Sequence, residues 1–278
     1  MYLTRHQTAQ GSHWALDGYL LSPGLDLSVL LGLRRRVLLD LLKSMPQDEL
    51  AAGALLPPLD PLHEVWAAGV TYLRSREARR AESSMADVYD RVYDAVRPEL
   101  FFKAVGWRVI GHTMPVRIRR DSKWNVPEPE LVIVVNRHQE IVGYCAGNDL
   151  SSRDIEGENP LYLPQAKIYN GSCALGPGIL MAGADEMIDL PIRLEVLRQS
   201  ALLFQGETRV AHMKRRLPEL VDYLGRELDF PHGVFLMTGT GIVPGDDFSL
   251  QPGDVVRVTV GSLSLENLVY LDQAGQSK

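Results

Sequence analysis

Only two cysteines, Cys145 and Cys173, occur in the 278 residues. They cannot build a disulfide framework, so they read as reduced, buried thiols of a cytoplasmic protein. No uninterrupted apolar run approaches a membrane span, and the opening MYLTRHQTAQGSHW has no apolar centre of the signal-peptide kind. Basic residues are outnumbered: 29 Lys and Arg against 35 Asp and Glu leave a net charge of −6, without the electrostatic footprint of a nucleic-acid binder. Repeats and low-complexity tracts are lacking as well. The remaining composition, 45% hydrophobic, is that of a globular chain with a full core. Neither nucleic acid nor membrane is expected as a partner.

The sequence turns on residues 127–154, PEPELVIVVNRHQEIVGYCAGNDLSSRD. Its β-branched, apolar centre at 131–135 predicts a buried strand. Glu128 and Glu130 stand two apart just before it, so both carboxylates leave an extended chain on the same face. Residues 136–140 predict a polar turn and 141–146 the returning strand, which ends at Asn148-Asp149. Asp149 thereby comes back beside the first two carboxylates. Three anions on a sheet made for burial repel one another unless a cation sits between them. An all-carboxylate set without Cys or His suits Mg²⁺ or Mn²⁺ and argues against zinc. The alternative is an edge strand whose glutamates face water, an ordinary use of alternating charge. Pattern alone leaves both open.

Residues 1–60 differ from the rest. A short strand is predicted at 18–21 and a helix at 27–42, interrupted by Arg34-Arg35-Arg36 and capped by Asp26 or Ser28. Pro57, Pro58 and Pro61 stiffen residues 54–62 into a non-helical link. The expectation is a small N-terminal domain over 1–60 and a catalytic domain over 61–278. In the latter, residues 65–71 predict a buried strand. Residues 75–96 predict a helix with Met85, Val88, Tyr89, Val92, Tyr93 and Val96 on one stripe, ended before Pro98. Residues 75–87 read as a solvated helix start or as a mobile lid, with Arg74, Arg76 and Arg79 meeting an anionic substrate. Strands are further expected at 100–102, 192–197, 201–205, 234–237, 255–260 and 263–269, and a helix at 217–228. So many short strands with few helices predict an α+β, mainly β fold, a mixed β-roll.

Other charged or turn positions admit two readings. Glu99 and Lys103 flank the strand at 100–102 and suit either solvent or a site. Lys167, in QAKIYNGSCALGP, would need a partner if buried, whereas a lone Lys is usually solvated. Thr238-Gly239-Thr240-Gly241 can offer backbone N–H groups and hydroxyls to a carboxylate, or be only a turn.

Pro127-Glu128-Pro129-Glu130-Leu131, Gly143-Tyr144 and Asn148 to Asp154 resemble the metal-binding block of the fumarylacetoacetate hydrolase family. The likeness continues through Lys167, Gly176-Pro177, Thr238 to Gly241 and Pro252-Gly253-Asp254, and covers roughly residues 64 to 270. The resemblance implies that Glu128, Glu130 and Asp149 hold a divalent cation, usually Mg²⁺, and that Lys167 faces the metal-bound substrate. It sets the Glu99 block against the substrate pocket, and it implies a homodimer or a dimer of dimers. Hydrolytic members carry Gly-Leu-Asn-Tyr, then a His and, three residues on, a Glu. Here the match is Gly69-Val70-Thr71-Tyr72, Ser75 occupies the His position and Glu77 comes one residue early. A His–Glu pair is a water-activating base, so its loss counts against hydrolysis. The Gly-Val-Thr-Tyr form with the following arginines looks like the family's sugar-acid branch, the 2-keto-3-deoxy-pentonate dehydratases.

That branch implies dehydration of an arabinonate- or xylonate-type acid to 2-oxoglutarate semialdehyde through a metal-stabilised enolate. Lys167 and Glu99 are then the proton-transfer groups. Ser75, Arg76, Lys103, Arg153 and Thr240 are the expected substrate-binding residues. Two rivals remain: a C–C hydrolase or decarboxylase of acylpyruvate- or oxaloacetate-type acids, and a binding protein without turnover. Intact Lys167 and Thr240 count against the second.

Overall fold

Strand Pro129–Val135 is buried along its whole length because each of its faces meets a different core. Leu131, Ile133 and Val135 pack into a cluster shared with Ile192, Leu194, Val196, Val256 and Val258. Val132 and Val134 belong to another, shared with Leu27, Leu30, Leu31, Leu38 and Leu42 and with Phe235. A strand covered on both faces reads as a continuous apolar run, which is the pattern at 131–135.

The computed structural model describes residues 1–82 and 91–272, the side chains of 78–82 excepted. Its main sheet runs in the order Tyr19–Leu20, Gly11–Leu16, Tyr2–Thr8, Cys173–Met181, Ile141–Asp149, Pro129–Val135, Val234–Met237, Glu64–Gly69 and Glu99–Val105. Ala54–Leu56 pairs beside Tyr2–Thr8. Along that path the neighbours are antiparallel, except that Val234–Met237 runs parallel to Glu64–Gly69. A second sheet orders Ala201–Arg209, Pro191–Arg198, Val255–Val260, Leu263–Leu271 and Val116–Ile118. The first core lies between the two sheets, and the N-terminal helices cover the main sheet's other face. The result is the α+β, mainly β roll that the strand pattern predicts. Among the described residues no helix is long and apolar enough to cross a membrane.

The N-terminal part departs from expectation. The hairpin Tyr2–Thr8 and Gly11–Leu16 is hidden in the sequence by polar His6, Gln7, Ser12 and His13, yet it joins Cys173–Met181 edge to edge. Residues 1–60 thus extend the main sheet and share its second core. The helix expected at 27–42 is two, Leu27–Leu31 and Arg35–Ser44. The break has a cause in the metal-site hairpin. The turn after Pro129–Val135 takes the carbonyls of Leu31, Gly32 and Leu33 with Arg137 N (3.0 Å), His138 Nε2 (3.2 Å) and Asn136 Nδ2 (2.8 Å). Carbonyls bonded there cannot continue a helical ladder. The helix expected at 75–96 is present as Leu73–Glu82 and at 91–94. Met85, Val88 and Tyr89, with the far part of the expected lid, lie outside the described residues.

Asn136 ties the hairpin tip to the N-terminal helices. Besides Leu33, its Nδ2 bonds the Glu140 carboxylate at 2.7 Å, and its Oδ1 accepts from His138 N (3.0 Å) and Glu140 N (2.9 Å). Asn136 is itself buried while its partners are half-buried, and Asn136→Ala, which removes all four hydrogen bonds, should cost about 1–3 kcal/mol in chemical denaturation. An unchanged unfolding midpoint would show that the tip is held by other contacts.

Candidate metal centre

Strand register assembles the three carboxylates. Glu130 lies opposite Gly147 in the pairing of Pro129–Val135 with Ile141–Asp149, and Asp149 donates its N–H to the Glu128 carbonyl at 2.9 Å. The pleat then puts Glu128, Glu130 and Asp149 on one face, together with Val132 and Cys145. Gly147 keeps that face open: a Cβ there would press on Val132, on Met237 at 3.0 Å and on Leu175 at 3.2 Å. One carboxylate oxygen from each of the three acids lies within 4.8 Å of the others, and all three residues are buried.

Buried anions this close need counter-charge. Glu128 receives Arg153 Nη2 on Oε1 at 2.8 Å and Lys167 Nζ on Oε2 at 2.6 Å. Asp149 is paired through Oδ2 with Lys167 at 3.2 Å and through Oδ1 with Lys103. Glu130 makes no ion pair among the described residues and accepts only the Gly239 N–H, at 2.6 Å. Burial first, then the charges of Asp149 and Glu128, hold its carboxyl well above the usual range. Glu130 is therefore the one member of the cluster that no cation of the described residues pairs with. An all-oxygen donor set with an uncompensated carboxylate fits a hard divalent cation such as Mg²⁺.

The neighbouring glycines shape this corner. Gly239, at φ +91°, follows Val234–Met237 in a conformation that suits glycine, and a Cβ on it would strike the Thr71 hydroxyl. That hydroxyl is committed to the Thr238 carbonyl at 2.7 Å, which fixes the turn offering its N–H to Glu130. Gly69 pairs with Glu99, and a Cβ there would collide with the Glu99 carboxylate, so only glycine lets that side chain fold inward. Cys173 lies opposite Asp149 in register, and burial pushes its thiol up to about 12, leaving it inert.

A cleft of about 360 Å³, mouth included, opens onto the cluster. Glu128 and Asp149 reach it, joined by Lys167, Glu99, Ser75, Thr240 and Glu156 and by apolar Phe101 and Leu163. Ser75 donates to the Tyr72 carbonyl at 2.9 Å, and Thr240 Oγ1 lies 3.2 Å from the Ile242 carbonyl. No histidine lines the cleft among the described residues.

The remaining expected substrate contacts lie elsewhere. Lys103 and Arg153, expected on the substrate side, stand behind the carboxylates. The Lys103 ammonium is committed to Asp149 and to the carbonyls of Leu150 (3.2 Å) and Lys167 (2.5 Å). Arg153 is spent on Glu128. Three buried acids require such cations, a signal present in the sequence. Arg76 is placed over the Tyr93 ring, 4.8 Å from its centroid, and is not among the lining residues. Glu156 joins the wall unforeseen; it is buried on helix Arg153–Glu158, three residues after Arg153.

The family model for the fumarylacetoacetate (FAA) hydrolase C-terminal domain matches residues 64–270. A Saccharolobus solfataricus protein, 2-dehydro-3-deoxy-D-arabinonate dehydratase, is 42% identical over 231 residues, covering 80% of this chain and 75% of its own. A solved 2-keto-3-deoxy-D-arabinonate dehydratase, complexed with magnesium and 2,5-dioxopentanoate, superposes with a TM-score of 0.83 at 33% identity over 98% of this chain and 100% of its own. A 5-carboxymethyl-2-hydroxymuconate delta-isomerase from Mycobacterium smegmatis, at 21% identity and a TM-score of 0.70 over 98% and 100% of the two chains, shares the fold. With the family model spanning most of its length, the chain belongs to the fumarylacetoacetate hydrolase family.

Proposed function

We propose that the chain is a Mg²⁺-dependent hydro-lyase removing water from a 2-keto-3-deoxy-pentonate of arabinonate or xylonate type, to give 2-oxoglutarate semialdehyde. The observation that carries this reading is one cleft in which Glu128 and Asp149 of the carboxylate cluster meet Glu99 and Lys167, with Ser75 and no histidine of the described residues on its wall. The dehydratase complexed with magnesium and 2,5-dioxopentanoate, which is the same semialdehyde, supports it.

Glu128, Glu130 and Asp149 are the proposed cation ligands. When bound, the cation polarises the carboxylate and ketone of a 2-oxo acid and acidifies the C3 proton. Two proton transfers remain for the chain: removal of the proton from C3, and donation to the hydroxyl leaving C4. Lys167 and Glu99 are assigned to them, since both face the cleft from different elements, helix Leu163–Lys167 and strand Glu99–Val105. A proton shift from C5 to C3 then gives an enol that ketonises to the aldehyde. Thr240 and Ser75, on the cleft wall, are assigned to the substrate's carboxylate and hydroxyls. Lys103 and Arg153 are assigned to holding Asp149 and Glu128 in place.

The same reading places the chemistry in residues 61–278, with residues 1–60 as support, because every site residue named here lies after 60. It also takes the protein as a cytoplasmic homodimer or dimer of dimers. The two free, buried thiols agree with a reducing compartment.

Chelation with EDTA should abolish turnover, and Mg²⁺ or Mn²⁺ should restore it; full activity in a metal-free preparation would sink the metal requirement. Glu99→Gln should lower kcat by roughly 10²–10⁴-fold, the span of a general acid or base, with Mg²⁺ affinity kept. Unchanged turnover would remove Glu99 from the chemistry. Pyruvate in place of the semialdehyde would overturn the dehydratase reading.

A further inference from the structure

A second cleft, about 920 Å³ with its mouth, lies outside the metal centre and gathers Arg108, Arg117, Arg119, Arg120, Asp121 and Tyr169. Four guanidinium groups against one carboxylate form a positive concentration on a chain whose net charge is −6. Two of the four are matched. Arg119 is held by Asp121 through Nε at 2.8 Å and Nη2 at 2.6 Å, and Arg117 by Asp272 at 3.0 Å. The other two are not. Arg120 makes no hydrogen bond or ion pair among the described residues, and Arg108 rests on the Trp107 ring, 4.9 Å from its centroid. The Arg108 Nε is buried and has no hydrogen-bond partner among the described residues.

Two guanidiniums outside any ion pair among the described residues, beside two already matched and with exposed Arg120 sharing the field of Asp121, make a cleft that attracts a doubly charged anion. The planar fork of arginine meets the oxygens of such an anion in paired, charge-assisted bonds. We infer that this cleft binds a phosphate group carried by a phosphomonoester. A phosphate dianion answers the two unmatched arginines where a single carboxylate answers one. The open space exceeds a bare phosphate and leaves room for the organic part of an ester.

The cleft also touches the segment that carries Lys167. Arg119 Nη1 donates to the Gln165 carbonyl at 3.0 Å, and its guanidinium lies 5.7 Å from the Tyr169 ring centroid. Gln165 and Tyr169 bracket Lys167, so an anion that draws Arg119 toward itself acts on the segment positioning that ammonium. This transmission rests on the role proposed above for Lys167; binding does not.

Calorimetric titration of the Mg²⁺-loaded protein with glycerol 3-phosphate, inorganic phosphate and acetate, at one ionic strength, separates the cases. The ester should bind saturably and more tightly than either other anion. The double substitution Arg108→Gln with Arg120→Gln, which leaves the Arg119–Asp121 pair intact, should weaken the ester about 10²-fold, near tenfold for each lost charge-assisted contact. An unchanged melting temperature shows that the variant is folded. Equal affinity in both proteins overturns the site, and inorganic phosphate binding as tightly as the ester overturns the choice of ester. Saturation should alter kcat or KM in the wild type and not in the variant; unaltered kinetics with binding intact would overturn the transmission to Lys167 alone.

Discussion

Three carboxylates forced onto one buried patch are the constraint on which the rest of this structure depends. Register alone brings them together, through Glu130 opposite Gly147 and Asp149 bonded to the backbone of Glu128. Burial makes the repulsion among them severe, since little solvent is present to screen it. Arg153, Lys167 and Lys103 answer Glu128 and Asp149. Among the described residues Glu130 is answered only by a backbone N–H, and burial first, then the neighbouring carboxylates, holds its carboxyl well above the usual range. Three cations equal the three acids in number, yet none of them pairs with Glu130, and a carboxylate left out of the pairing in this way is the condition for taking up a cation.

The scaffold is built to keep that patch rigid. The hairpin carrying the acids is buried on both faces, so a one-residue slip would exchange its two cores as well as its carboxylates. Its tip is bonded to the break between the two N-terminal helices. Residues 1–60 carry none of the site residues, yet their strands and helices close the sheet and the core behind the metal centre.

The hairpin and its acids were legible because strand periodicity is local: two glutamates two apart, a β-branched run, a polar turn and a returning Asp. The strands at 234–237 and 255–260 were legible for the same reason. What stayed hidden depends on distant partners. The Tyr2–Thr8 strand has too little apolar pattern to announce itself, and the interruption of the helix at Gly32 comes from a turn about a hundred residues on. Lys103 and Arg153 read as substrate contacts because a cation near a pocket suggests an anionic ligand. Their real partners are the protein's own acids, and a count of buried charge would have pointed there. Glu156 escapes a reading of the sequence because a carboxylate in a polar stretch carries no local sign of burial.

The most direct measurement is thermal melting with and without Mg²⁺ of the wild type and of Glu130→Gln. Glutamine can still accept the Gly239 N–H while removing the carboxylate charge that lacks an ion-pair partner. The account predicts that the metal-free variant melts no lower than the metal-free wild type, because repulsion with Asp149 and Glu128 has been relieved. Mg²⁺ should raise the melting temperature of the wild type and leave that of the variant unmoved. An equal rise in both proteins would contradict the assignment of Glu130, and with it the carboxylate cluster, as the cation site.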